Sequence, residues 1–168
     1  MTIRFFLIYT FLFATFLTKV EGQQPLQQAD RLFNSQQYME ASIAYEKVIF
    51  SRPVAITVRN ARYKKALCYR NMERYNDALN ELNRINLYNA PIPLQTKVFY
   101  EKAFNLFLLD NYKEALWNYR RIREEKISES TRQNILPLEI LILNGNRKWK
   151  KSKETFHHWI NQLTYTEH

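Results

Sequence analysis

Aromatic, small and branched residues recur along this chain at a fixed step. Tyr38, Tyr75, Tyr112 and Trp149 each open a similar stretch, and they stand 37 residues apart. Three positions on come Ala41, Ala78, Ala115 and Ser152, and four further on Tyr45, Leu82, Tyr119 and Phe156. Val48, Ile85, Ile122 and Trp159 follow after three more. Steps of three and four hold all these positions on one side of a helix, because a turn takes 3.6 residues. An upstream half repeats as well. Ala29, Ala66, Ala103 and Ile140 stand twelve residues before the small positions, with Leu32, Tyr69, Leu106 and Leu143 three beyond them. Turn-forming residues separate the halves at 35–37, 71–74, 110–111 and 144–146. The pattern therefore predicts an all-α chain of four units, about 24–51, 57–87, 94–125 and 131–163, each a helix, a tight turn and a second helix. The small residues let paired helices approach, and the aromatic and branched ones fill the space between them.

The stretches YMEASIAYEKV, YNDALNELNRI and YKEALWNYRRI resemble the second helix of the tetratricopeptide repeat (TPR) family, and ADRLF, ALCYR and AFNLF resemble its first. The fourth unit departs from that pattern, with Ile140 and Ser152 where alanine is usual. The period also exceeds the family's 34 residues. Spacing inside a unit stays at twelve, so the additional residues fall in the connectors, which carry Pro53, Pro91 and Pro93 or, at 124–130, no proline. The resemblance implies a right-handed superhelical solenoid of about four α-hairpins over residues 23–168, with its curvature left open.

The resemblance also implies that first helices line a concave groove holding a protein or peptide. The positions that carry over are Leu26, Asp30, Phe33 and Asn34; Asn60, Tyr63, Leu67, Arg70 and Asn71; and Lys97, Tyr100, Phe104, Phe107 and Leu108. Asparagine amides suit a peptide backbone, aromatic rings offer apolar area, and Lys or Arg meets acidic groups. The plainer alternative is that Leu67, Phe104 and Leu108 only pack against neighbouring helices. A subtype of the family grips C-terminal carboxylates. Its positions here hold Leu26, Asp30, Lys64, Lys97 and Glu101; only Lys97 agrees, and two are acids that repel a carboxylate.

Composition narrows the choices further. The chain has 168 residues, 46% of them hydrophobic and 15% aromatic, too apolar for a disordered polymer. Its two glycines exclude glycine-lined phosphate loops. Residues 1–22 combine Arg4 with an uncharged apolar run at 5–18, which reads as a secretory signal peptide cleaved near Gly22; an uncleaved membrane anchor is the alternative. The protein is thus expected in the periplasm or outside the cell. Cys68 stands alone, so no internal disulfide forms, and it reads as a small core residue. The three histidines crowd the C-terminus, and His157 and His158 are adjacent rather than stacked at i and i+4, so neither a metal site nor a cofactor is expected. No catalytic motif is present, and the chain is read as a non-enzyme.

A basic surplus, 25 Lys and Arg against 16 Asp and Glu, leaves a net charge of +9. Its densest stretch is RKWKKSKETFHHWI near the C-terminus. The repeat register assigns Trp149, Ser152, Phe156 and Trp159 to the core of the last unit, and Lys150, Lys151, Lys153 and His157 to the polar face that a terminal repeat needs. On that reading Trp149→Ala is a core truncation costing ~3–5 kcal/mol. Two functions stay open. The first is a protein- or peptide-binding scaffold acting through the groove. The second is a basic module for anionic envelope polymer or nucleic acid, using Arg120, Arg121, Arg123, Arg147, Lys148, Lys150, Lys151 and Lys153. Ile160 and Leu163 add self-association through the last helix as a further open partner.

Overall fold

A computed structural model describes residues 24–51, 54–122 and 126–165. The segment expected to be a signal peptide, Pro53, Arg123 and the Leu163 side chain lie outside the described residues. Those described form eight helices and no strand. In chain order they are α1 (Gln24–Asn34), α2 (Tyr38–Phe50), α3 (Ala55–Asn71), α4 (Tyr75–Asn83), α5 (Ile92–Leu108), α6 (Tyr112–Tyr119), α7 (Glu129–Gly145) and α8 (Trp149–Tyr165). Among the described residues no helix is long and apolar enough to cross a membrane.

The chain divides into two compact units, residues 1–73 and 74–168. In the first, α1 packs on α2 and α2 on α3. Ala29 and Ala41 are buried in one core with Tyr45, Val48, Ile49, Ala61 and Cys68. In the second, α5 packs on α4 and α6, and α7 on α6 and α8. Its core gathers Ala103, Leu106, Ala115, Leu116, Tyr119, Ile135, Leu138, Ile142 and Leu143. Ala66 and Ala78 are also buried. Where the fourth small position holds serine, the Ser152 hydroxyl donates to the Ile140 carbonyl at 3.3 Å, tying α8 to α7 across the twelve-residue spacing. Burying the hydroxyl with a partner avoids the desolvation penalty of leaving it unbonded.

The 37-residue rhythm extends into the backbone. Gln36, Glu73, Asp110 and Arg147 all have positive φ, between 56° and 60°. After Gln36, Asp110 and Arg147 the next residue donates its amide to the carbonyl five residues back: Gln37 to Leu32, Asn111 to Leu106 and Lys148 to Leu143, at 2.8–3.0 Å. This ring closes a helix through a left-handed residue, a place that normally favours glycine. Here Gln, Glu, Asp and Arg accept the strain. The chain's single glycine beyond residue 22 plays a different part. Gly145 is helical, with no positive φ, and a Cβ built on it falls 2.3 Å from the Tyr112 ring. The residue is glycine because α6 sends an aromatic ring onto the backbone of α7.

One expectation is overturned at the C-terminal end. Trp149 is 62% exposed and Phe156 43%, so neither lies in a core; Trp159 is half-buried and Ser152 alone is buried. The repeat-equivalent Tyr45 and Tyr119 are 0% and 1% exposed. The reason is geometric. A second helix contacts its own partner on one flank and the following first helix on the next, as Tyr112 does on Gly145. After α8 no further described helix supplies that second cover.

Candidate functional site

The residues assigned to the groove lie on α1 and α3 in the first unit and on α5 in the second. On α3, Asn60 and Asn71 are exposed and Tyr63, Leu67 and Arg70 half-buried. On α5, Lys97 and Leu108 are exposed and Tyr100, Phe104 and Phe107 half-buried. None of these side chains is fully buried. The Tyr100 and Phe104 rings stack with centroids 6.3 Å apart and planes 17° from parallel, as i and i+4 positions on one helix allow. Phe107 tilts against Tyr112 at 5.9 Å. All three aromatics rest one side on the core of their unit and leave the other to solvent. Each ring is therefore partly a packing surface and partly exposed. In the first unit Phe33 meets Tyr38 edge-on at 5.6 Å, while Leu26 is half-buried and Asn34 exposed.

Two of the carboxylate-gripping positions, Asp30 and Lys64, are taken up internally. The Tyr45 hydroxyl donates to Asp30 at 2.6 Å, and Lys64 reaches the same oxygen at 2.7 Å. Burial first, and then the Asp30 bond, raise the Tyr45 phenol, so it stays protonated as a donor. Glu101 is buried on α5. Lys64 is thus engaged by an acid of its own chain, and the site is built to hold α1, α2 and α3 together. Nearby Cys68 is fully buried, and burial pushes its thiol up to about 12, the reverse of what a nucleophile needs.

The basic residues separate into two kinds. Arg147, Lys148, Lys150, Lys151 and Lys153 are exposed, and none is in an ion pair among the described residues. Arg120 is exposed at the end of α6. Arg121 is already engaged: its guanidinium lies 4.7 Å from the ring centroids of both Phe99 and Trp117, a double cation–π contact that ties α6 to α5.

Beside that contact lies a cleft that the repeat pattern does not announce. It encloses about 640 Å³ between α4, α5 and α6. Asn76, Asn80 and Asn83 line one wall, and Lys102, Trp117 and Arg121 stand on others. Asn118 is buried there and donates its amide to the Glu114 carbonyl at 3.0 Å. Burial, and then the neighbouring Arg121 charge, lower the Lys102 ammonium below its ordinary value. A signal was present in the sequence: Asn76, Asn80 and Asn83 fall at i, i+4 and i+7, one polar line on α4. The apolar stripe on the same helix is the stronger periodic signal and overshadows it. No known family model matches the chain, and no curated protein matches it at a significant level.

Proposed function

We propose that this protein is a non-catalytic, exported scaffold of tetratricopeptide-repeat type that holds a protein or peptide partner on the faces of its first helices. One observation carries the reading. On α5 the side chains at 97, 100, 104 and 107 follow helical steps along one face, and each keeps part of its surface in solvent although the same helix buries Val98, Phe99, Ala103 and Leu106. A row of ring edges anchored on a core loses little side-chain entropy when a partner covers it, which suits a binding face. Lys97 at its end supplies a charge for an acidic group on the partner.

Affinity capture from the native envelope tests the assignment. Tyr100→Ala and Phe107→Ala are expected to lose the partner that the parent chain retains, and unchanged capture by both variants refutes it. The exposed cations of the α8 region support a second reading, binding of an anionic envelope polymer or nucleic acid. Salt separates the two. Contacts to phosphate weaken steeply with ionic strength, whereas an aromatic face is little affected.

A further inference from the structure

The repeat supplies its own template for what belongs on α8. In the second unit, Ala115 and Tyr119 of α6, with Ile122 just beyond its end, share a core with Ile135, Leu138 and Ile142 of the next helix, while Gly145 makes room for Tyr112. The corresponding positions on α8 are Trp149, Ser152, Phe156 and Trp159. Ser152 faces α7, but Trp149 and Phe156 are exposed, and Ile160, on their flank, is 37% exposed. At 100° per residue these three side chains fall within about 40° of one another on the helix. A helix face with no helix laid over it is ordinarily polar. This one turns outward an apolar strip of the kind its neighbour covers with a helix.

Charge then selects the occupant. Lys153 and His157 border the strip, with Lys150 one step further round, and all three are exposed. Phe156 and His157 are in ring contact at 6.1 Å, which places the histidine at the margin of the aromatic surface. The nearest acid on the helix, Glu154, lies well round toward the opposite side. A second copy of α8 would set lysines against lysines, a repulsive arrangement in a chain already at +9.

We propose that the exposed flank of α8 docks an amphipathic helix of a partner protein, apolar along its centre and acidic along the margin that meets these cations, laid on α8 as α7 is laid on α6. The surface is separate from the α5 face, so its occupant can bind while the first-helix faces are free.

The probe is a synthetic acetylated peptide with the sequence of residues 128–146 of this chain, carrying Arg132→Glu, Asn134→Glu and Leu141→Glu. It is titrated calorimetrically into the full chain. Saturable one-to-one binding that weakens with salt is the expected result. The same peptide with lysine at the three positions is expected to bind roughly tenfold or more weakly. Phe156→Glu is expected to remove binding with an unchanged melting temperature, since the side chain is not in a core, while Tyr100→Ala leaves this binding intact and so keeps the two surfaces distinguishable. Absence of binding by the acidic peptide, or equal binding by the lysine version, overturns the proposal. So does association with vesicles of anionic phospholipid that Phe156→Glu abolishes while the peptide fails to bind. A concentration-dependent dimer in sedimentation that Phe156→Glu dissociates would identify a second copy as the occupant and overturn it equally.

Discussion

Replacing Gly145 with alanine sets two effects against each other. Alanine is the better helix former by up to ~1 kcal/mol, and Gly145 is the last residue of α7, so only part of that gain applies. Against it stands the Tyr112 ring. The new methyl would lie 2.3, 2.5 and 2.7 Å from three of its carbons, far inside contact distance. The ring has little freedom to withdraw, because it leans on Phe107 and its hydroxyl is hydrogen-bonded to Asp110. That bond also raises the Tyr112 phenol above its ordinary value. Overpacking of this kind costs ~1–3 kcal/mol. Gly145→Ala is therefore expected to destabilise by about 0.5–2 kcal/mol, a loss of a few degrees in melting temperature. The decisive measurement is the double-mutant cycle in urea. With Tyr112→Ala in place the clash is gone, and Gly145→Ala should become stabilising by up to ~1 kcal/mol. A neutral or stabilising effect in the parent chain, or the same shift in both backgrounds, would refute the close approach.

Three further outcomes rest on the same geometry. Tyr119→Ala, at a buried position, is expected to cost ~3–5 kcal/mol in a denaturant melt, whereas Phe156→Ala and Trp149→Ala, at exposed ones, should stay within ~1 kcal/mol; equal losses would contradict the uncovered end. Glu73→Gly removes a side chain from a left-handed backbone position and is expected to raise stability by ~0.5–1 kcal/mol after the entropy cost of glycine. Asp110→Gly should gain less, because Asp110 also accepts from Tyr112. Cys68 should resist maleimide at pH 8 in the native protein and react fully once unfolded. Because burial raises its folded pKa to about 12, the unfolded chain deprotonates first, so the thiol's contribution is intact below about pH 9 and lost as pH rises from there to about 12. Cys68→Ala should flatten the alkaline decline in stability, and an unaltered slope would count against the assignment.

Helix content and the small contact residues were legible from the chain alone, because both follow from local rules. Alanine at a twelve-residue spacing is a demand of close helix approach, and all six such alanines are buried. The burial of Cys68 was equally legible, from its small size and lack of a partner. Legibility failed where burial depends on a neighbour. Trp149 and Phe156 obey the same spacing as Tyr112 and Tyr119, yet periodicity states only which side of a helix a residue occupies, never whether anything lies there. The turns misled in another way. Gly145, grouped with the turn residues, turned out to be helical, and of the left-handed positions at the repeat turns only Asp110 holds a type that favours the conformation, while Gln36, Glu73 and Arg147 announce nothing of it.

The candidate site divides along the same line. Residues on the outward side of α3 and α5 could be named from register, since a helix fixes the angular position of every side chain. Their half-buried state could not, because it depends on how far the next helix reaches over each ring. The cleft between α4, α5 and α6 and the Arg121 contact with two rings join residues from separate helices, and only packed coordinates bring those together. The sequence by itself determined that the chain is helical, how its elements recur and which small residues lie at their contacts. The tertiary structure alone decided which stripes are covered, which basic groups are already engaged and where polar groups converge. Periodicity is carried by neighbours three or four residues along the chain, while exposure is set by whichever helix packs across the face.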